Sequence, residues 1–309
     1  MDYRCIKCSS LMGFKHEYPP ISNFGKVDCP VALFSINPSF NEFKKKGRRP
    51  APFNSWDVNN RCIVFDEKID SHKKQQDNYF SSGNYYKEWF NPVEGFLNLI
   101  KSDLWGELSF GINHEVQNVV HLDIVKCSTT KIWRDLKDPF VKDSYINNCK
   151  EFLLPQLFLP NLRVILVNGK TVKDVLYGVL KDHFIFEQEE EYSYTLHLWT
   201  RTEEERLTEI MTVNDSKLTQ FSVNVGRSVN ACKERWKKIK KEGFKAPTVV
   251  NTTWALYRYV ISSKDSDRKW LVVGTSQRIS PDDQGRFRNN HDRAKAAAKI
   301  QQWINEFTY

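Results

Sequence analysis

Asn37, Asp123 and a short cysteine spacing are the residues of this chain whose types could do chemistry. Asn37-Pro38 closes a run of apolar residues, so Asn37 either makes a tight turn or offers a side-chain amide that can orient a water molecule. Asp123 interrupts another apolar run. An ionised carboxylate only accepts hydrogen bonds, so it suits a partner that presents an amino group. Cys5-Ile6-Lys7-Cys8 is a C-x-x-C, a spacing compatible with zinc, redox exchange or neither. Ser276, Gln277 and Arg278 follow a fourth apolar run and supply a hydroxyl, an amide and a cation in succession.

These residues need elements to hold them. Val31 to Ile36 is a short apolar run that stops at Asn37-Pro38-Ser39, the pattern of a buried strand ending in a turn. Val119 to Val125, Arg163 to Val167 and Trp270 to Val273 read as three more buried strands. Helical spacing is expected from Pro92 to Ile100, Ser144 to Leu157, Thr171 to Leu180 and Asp292 to Phe307. Residues 40–90 are polar, aromatic and poor in periodicity, and are expected to be mostly loop. Strands alternating with helices predict an α/β fold, a three-layer αβα sandwich around a central four-stranded parallel sheet. Ligands of such sheets bind beyond the carboxyl ends of the strands. Asn37, the 123–131 segment and the 274–281 loop are therefore expected along one edge.

The chain carries 46 Lys and Arg against 38 Asp and Glu, a net charge of +8, which favours a polyanionic partner and nucleic acid first. The runs Lys44-Lys45-Lys46-Gly47-Arg48-Arg49 and Lys237-Lys238-Ile239-Lys240-Lys241 could each neutralise backbone phosphates or be solvated faces. No apolar stretch of about 18 residues is present to span a membrane. No apolar leader follows Met1, so a cytoplasmic location is expected, where structural disulfides are rare.

Three segments carry a resemblance. VALFSINPS at 31–39 resembles the first motif of the uracil-DNA glycosylase superfamily, whose mismatch-specific branch has a Gly-Ile-Asn-Pro-Gly version. HLDIVKCSTTK at 121–131 is similar to the second-strand segment of the iron–sulfur branch, commonly called family 4, which reads close to Thr-Asn-Val-Val-Lys-Cys-Arg-Pro-Pro. NLRVILVNGKTVKDVL at 161–176 resembles that branch's next strand and helix. The likeness covers most of 1–182 and 269–309, which it implies form one glycosylase-like catalytic domain.

The resemblance implies roles residue by residue. Asn37 falls where the superfamily holds its water-positioning residue, beneath the sugar carbon whose bond to the base is cut. Asp123 stands where family 4 has the Asn that reads uracil; a carboxylate there suits the exocyclic amino group of cytosine and opposes uracil O4. In the third motif the family's His is replaced by Gln277, or by Ser276 with a one-residue shift, and Arg278 could supply a charge. Phe53, which follows Gly47-Arg48-Arg49-Pro50, is the first candidate to stack on a flipped base, with Tyr85 and Tyr86 as rivals. Arg48, Arg49 and Arg278 are expected against DNA. Cys5, Cys8, Cys127 and Cys149 correspond to the four cluster cysteines of that branch, implying a structural [4Fe–4S] cluster; the same four thiolates also suit structural zinc.

Residues 183–268 break the strand–helix alternation and are expected to be an insertion. Within it, Trp199 to Leu207 resembles the start of a Myb/SANT-type helical module and Gly226 to Trp236 its third helix, placing the module at about 197–243. Trp199, Leu207, Phe221 and Trp236 would form its small core. Ser228 could cap the last helix, which would turn Arg227, Asn230, Lys233, Arg235 and Lys237 toward DNA.

The leading expectation is a monofunctional glycosylase that flips and hydrolytically excises a modified, cytosine-like base. The resemblance extends to bacterial anti-phage enzymes acting on glucosylated hydroxymethylcytosine. That implies double-stranded phage or damaged DNA as partner and a monomer at the bacterial nucleoid. The alternatives are a repair enzyme for uracil and a DNA-binding protein without catalysis.

Overall fold

The computed structural model describes residues 8, 11, 21–38, 56–57, 62–63, 73–83, 85–112, 115–127, 129, 133–195, 199–213, 217–224, 229–244, 253–276, 279 and 290–307. In chain order the principal elements are β1 (Val31–Ser35), α1 (Lys87–Leu97), β2 (Val119–Asp123), α2 (Pro139–Leu157), β3 (Val164–Asn168), α3 (Lys170–Leu180) and β4 (Phe184–Thr195). They continue with α4 (Arg201–Val213), α5 (Leu218–Asn224), α6 (Val229–Glu242), β5 (Thr253–Ser263), β6 (Lys269–Thr275) and α7 (Asn290–Glu306).

The fold is α/β, and its sheet has six strands in the order β2-β1-β3-β6-β5-β4. The four apolar runs anticipated from sequence are the four parallel strands, with Ser35 in register with Asp123 and Thr275 with Asn168. The expectation of a four-stranded, purely parallel sheet is corrected by β5 and β4. Both run antiparallel, β5 beside β6 and β4 beside β5. Both lie within the stretch expected to be an insertion, so that stretch begins and ends inside the sheet, and α4 to α6 stand between its strands.

Each parallel strand is buried on both faces, which explains its unbroken apolar composition. Along β1, Val31 and Leu33 face one core with Phe90, Val93, Phe96 and Leu97 of α1 and Ala297, Ile300 and Trp303 of α7. Ala32 and Phe34 face the other core with Leu153 and Leu157 of α2 and Val172, Leu176 and Leu180 of α3. Helices on both sides of the sheet make three layers.

Helix ends are specified locally. Asp138 accepts a hydrogen bond from the Phe140 N–H at 2.9 Å and Pro139 opens α2, the arrangement that a first turn favours. At the other end of α2 the Arg268 guanidinium donates to the carbonyls of Phe158, Pro160 and Leu162 at 3.0–3.1 Å and lies over the Trp270 ring. At Gly274 a Cβ would stand 2.2 Å from the Tyr257 ring, so β6 accepts only glycine beneath that tyrosine.

Helices α4 to α6 enclose a core of Leu207, Leu218, Phe221, Cys232 and Ile239, with Trp199 and Trp236 packed against it. Of the four residues expected to form the module's core, Leu207 and Phe221 are in it and Trp199 and Trp236 pack against it. Thr200 and Glu203 form a reciprocal cap at the start of α4: the Glu203 N–H donates to Thr200 Oγ1 at 3.1 Å and the Thr200 N–H to Glu203 Oε2 at 2.7 Å.

Candidate functional site

The parallel strands β1, β2, β3 and β6 all end at one edge of the sheet, and the candidate residues gather there. Beyond β1, Asn37 donates from Nδ2 to Thr129 Oγ1 at 3.3 Å and to the Pro38 carbonyl at 3.2 Å. Its Oδ1 has no partner among the described residues. The segment after β2 is tied to β1 by backbone bonds from Ile124 to Ser35 at 2.9 Å and from Val125 to Ile36 at 2.7 Å. Asn37 and the 123–129 segment are thus one unit.

Asn168 joins the third segment to this unit. It ends β3, donates from Nδ2 to Ser35 Oγ at 3.4 Å, and accepts at Oδ1 from the Ile279 N–H at 2.7 Å. The loop after β6 is thereby held against β1. The sequence does not single out Asn168, because a side chain that bridges two distant loops leaves no local pattern.

Asp123 is buried at the carboxyl end of β2, and neither of its oxygens has a hydrogen-bond partner among the described residues. His121, two residues earlier on the same strand face, is equally buried with both ring nitrogens unpartnered among the described residues, its Nε2 3.8 Å from Asp123 Oδ1. Lys126 is buried nearby, but its ammonium is consumed elsewhere. It donates to the backbone carbonyl of Asp123, to Gln156 Oε1 at 2.5 Å and to the Ser22 carbonyl at 3.5 Å. Burial raises the Asp123 carboxyl above its usual range, against the pull of the Lys126 charge. Burial and then the same charge push the His121 imidazole down to about 3. Burial thus favours the uncharged form of both groups.

Aromatic rings enclose His121. Trp89, Phe24 and Phe90 lie 4.9, 5.3 and 5.3 Å from it, centroid to centroid. Tyr85, expected as a stacking surface, is buried in the same cluster against Phe80 and Phe90, and its hydroxyl donates to Asn91 Oδ1 at 2.8 Å. Ser276 is occupied by backbone: its Oγ accepts from the Ala255 N–H at 3.0 Å, and its carbonyl accepts from Lys170 at 3.3 Å. It fastens β6 to β5 and to the start of α3.

Cys8, Cys127 and Cys149 are all buried in one apolar cluster with Val125, Trp133 and Tyr145. Lys126 N–H points at Cys149 Sγ at 3.5 Å, and Asn148 Nδ2 at Cys8 Sγ at 3.4 Å. Three cysteines from separate segments thus share one apolar shell, with N–H groups near two of the sulfurs. Among the described residues no complete set of three or more ligands is assembled, and Cys5 lies outside them.

In the helical module, Lys233 and Lys237 are exposed on α6, Lys237 pairing with Glu234 at 2.7 Å. Arg235 departs from expectation. It turns inward to Glu204, whose carboxylate is buried, with its Nε 2.7 Å from Oε1. A buried carboxylate requires a cation, and that demand takes Arg235 away from the surface. Arg48, Arg49, Phe53, Arg227, Ser228, Gln277 and Arg278 lie outside the described residues, as does the side chain of Asn230.

Profiles of known protein families give no match to this chain, and no curated protein matches it in sequence. Among the described residues no helix is long and apolar enough to cross a membrane.

Proposed function

We propose that this protein is a monofunctional DNA glycosylase acting on a cytosine-like base, with glucosylated hydroxymethylcytosine of phage DNA as its substrate class. The observation that carries the reading is Asp123, a buried carboxyl group without a hydrogen-bond partner among the described residues, at the carboxyl edge of the parallel strands and in register with Ser35, two residues before Asn37. Leaving a buried polar group unsatisfied costs about 1–3 kcal/mol, a cost that an incoming ligand recovers.

In this reading the target nucleotide leaves the stack and its base enters the edge of the sheet. Asp123 meets the amino-bearing edge of the base. Asn37, its Nδ2 anchored to Thr129, uses Oδ1 to orient a water under the anomeric carbon. The water oxygen bonds to that carbon as the carbon–nitrogen bond breaks, and the electron pair of that bond leaves with the base. One water proton stays on the new sugar hydroxyl, the other passes to solvent, and the departing base takes up a proton from solvent. An amide is a weak base, so Asn37 acts by position rather than by proton abstraction.

Cys8, Cys127 and Cys149, with Cys5, would hold a [4Fe–4S] cluster or a zinc ion. Such a group supplies no step of the hydrolysis; it fastens the chain's first residues to β2 and α2. The exposed lysines of α6 add electrostatic grip on double-stranded DNA.

Base release is the test, from three duplexes carrying uracil, plain cytosine or glucosylated hydroxymethylcytosine, with Asn37→Ala as control. Release from the glucosylated duplex alone, lost in the variant, is the expected result. Release from uracil alone returns the repair reading, and no release from any leaves a DNA-binding protein.

A further inference from the structure

His121 has no explanation in packing. Its ring sits among Trp89, Phe24, Phe90 and Phe110, where phenylalanine would fill the space without burying two polar nitrogens. Asp123 is its polar neighbour along the strand face, also without a hydrogen-bond partner among the described residues. Lys126 is the charged group acting on both, and its donors are engaged by the Asp123 backbone carbonyl, Gln156 Oε1 and the Ser22 carbonyl rather than by the Asp123 carboxyl. The 3.8 Å between Nε2 and Oδ1 is about 1 Å longer than a formed hydrogen bond, a gap that a small side-chain rotation closes.

We propose that His121 is the positioning residue for Asp123, donating from Nε2–H to Oδ1 so that Oδ1 is held as acceptor and the acid proton resides on Oδ2. The inference rests on the base-reading role given to Asp123 above. A neutral acid with a fixed proton offers one acceptor and one donor in a set order. That order matches cytosine, whose N4 amino group donates to Oδ1 while N3 accepts from Oδ2–H. Uracil presents the reverse order, O4 accepting and N3–H donating, and meets like against like. An acid free to move its proton would serve either base. His121 therefore converts a permissive carboxyl into a selective one. An apolar cage favours the uncharged form of both groups, as the scheme requires.

The experiment compares release rates from glucosylated hydroxymethylcytosine and uracil duplexes for the parent protein, Asp123→Asn, His121→Phe and His121→Gln. His121→Phe keeps the cage and loses the donor; its cytosine-over-uracil ratio should fall on the order of tenfold. His121→Gln carries a side-chain N–H and should recover most of the ratio. A folded His121→Phe protein with the parental ratio overturns the proposal. If Asp123→Asn also leaves the ratio unchanged, or the parent releases neither base, the base-reading role itself fails; if only Asp123→Asn moves it, His121 alone is wrong. Should His121→Phe not fold, the imidazole nitrogen-15 spectrum of the parent decides: a neutral ring protonated at Nε2 supports the proposal, and an Nδ1–H tautomer or an imidazolium at pH 7 overturns it.

Discussion

Asn168 and Ile279, 111 residues apart in the chain, are joined by a hydrogen bond of 2.7 Å from the Ile279 N–H to Asn168 Oδ1. The amide nitrogen of the same side chain reaches Ser35 at 3.4 Å, so one residue at the end of β3 holds the loop after β6 against the end of β1. Asn168→Ala removes both bonds and leaves the buried Ile279 N–H unsatisfied, at a cost of about 1–3 kcal/mol. We expect the urea midpoint to fall accordingly and proteolysis after residue 276 to accelerate. Asn168→Asp, which still accepts from Ile279, should recover most of the loss. Equal behaviour of the two variants would show that the bridge does not hold the loop.

The neutral pair on β2 predicts an unusual dependence of stability on pH. His121 has a folded value of about 3 against an ordinary 6.5, so the unfolded chain takes up a proton below 6.5 that the folded chain refuses, and folding weakens as pH falls. Asp123 is raised above its ordinary 3.8, so the unfolded chain releases a proton that the folded chain keeps, and folding weakens as pH rises from there. Between roughly pH 4 and 6.5 the two slopes oppose each other. Asp123→Asn deletes one of them. Relative to the parent, its folding constant should drop by up to about tenfold per unit as pH falls below 6.5. Urea titrations across this range test it, and parallel curves for parent and variant would contradict it.

How much of this was legible in the sequence depends on how local the signal is. The four parallel strands were readable because burial on both faces demands unbroken apolar runs. The strand β4 was not. Its residues Glu187 and Glu189 to Glu191 look like a solvated stretch, yet they line an edge strand, where charge discourages pairing with another chain. Several of those charges have partners: Glu190 accepts from Trp303 Nε1 at 3.0 Å, and Glu187 pairs with Lys269 at 3.2 Å. Asp123 stood out by type, while His121 was invisible beside it, since one histidine in an apolar strand announces nothing until its nitrogens are found without partners. Arg235 was misjudged because a charged helix residue looks solvent-facing unless the buried Glu204 opposite is known.

That last pair makes its own prediction. Arg235→Ala leaves the Glu204 carboxylate, only 1% exposed, without its cation. Breaking a buried pair costs about 3–5 kcal/mol, and the partial exposure of Arg235 argues for the lower end. Amide hydrogen exchange across α4, α5 and α6 should accelerate while the sheet stays protected. Replacing both partners by leucine should restore much of the protection, because no orphaned charge remains.

Lys233 and Lys237 should behave in the opposite way, since both are exposed on α6. Replacing them with alanine should leave stability within about 0.5 kcal/mol. It should reduce the slope of log affinity for duplex DNA against log salt by about 0.9 for each phosphate that is no longer neutralised. An unchanged slope would make α6 a solvated face rather than a DNA-binding one.

The cysteine cluster supplies a test that needs no substrate. Cys8, Cys127 and Cys149 share one buried apolar cluster, and N–H donors from Lys126 and Asn148 point at two of the sulfurs. If these thiolates and Cys5 hold a [4Fe–4S] cluster, protein purified without oxygen should be brown, with broad absorbance near ~400 nm. Cys149→Ser removes one ligand at the centre of α2, so it should bleach that band and lower the melting temperature together. Cys29→Ser serves as the control. Cys29 lies in the other core, where its thiol donates to the Lys26 carbonyl at 3.2 Å, and its loss should leave the colour intact. A colourless parent with one equivalent of zinc would replace the cluster by a zinc site on the same sulfurs. A colourless parent without metal, equally stable with serine at 149, would reduce the three cysteines to core packing.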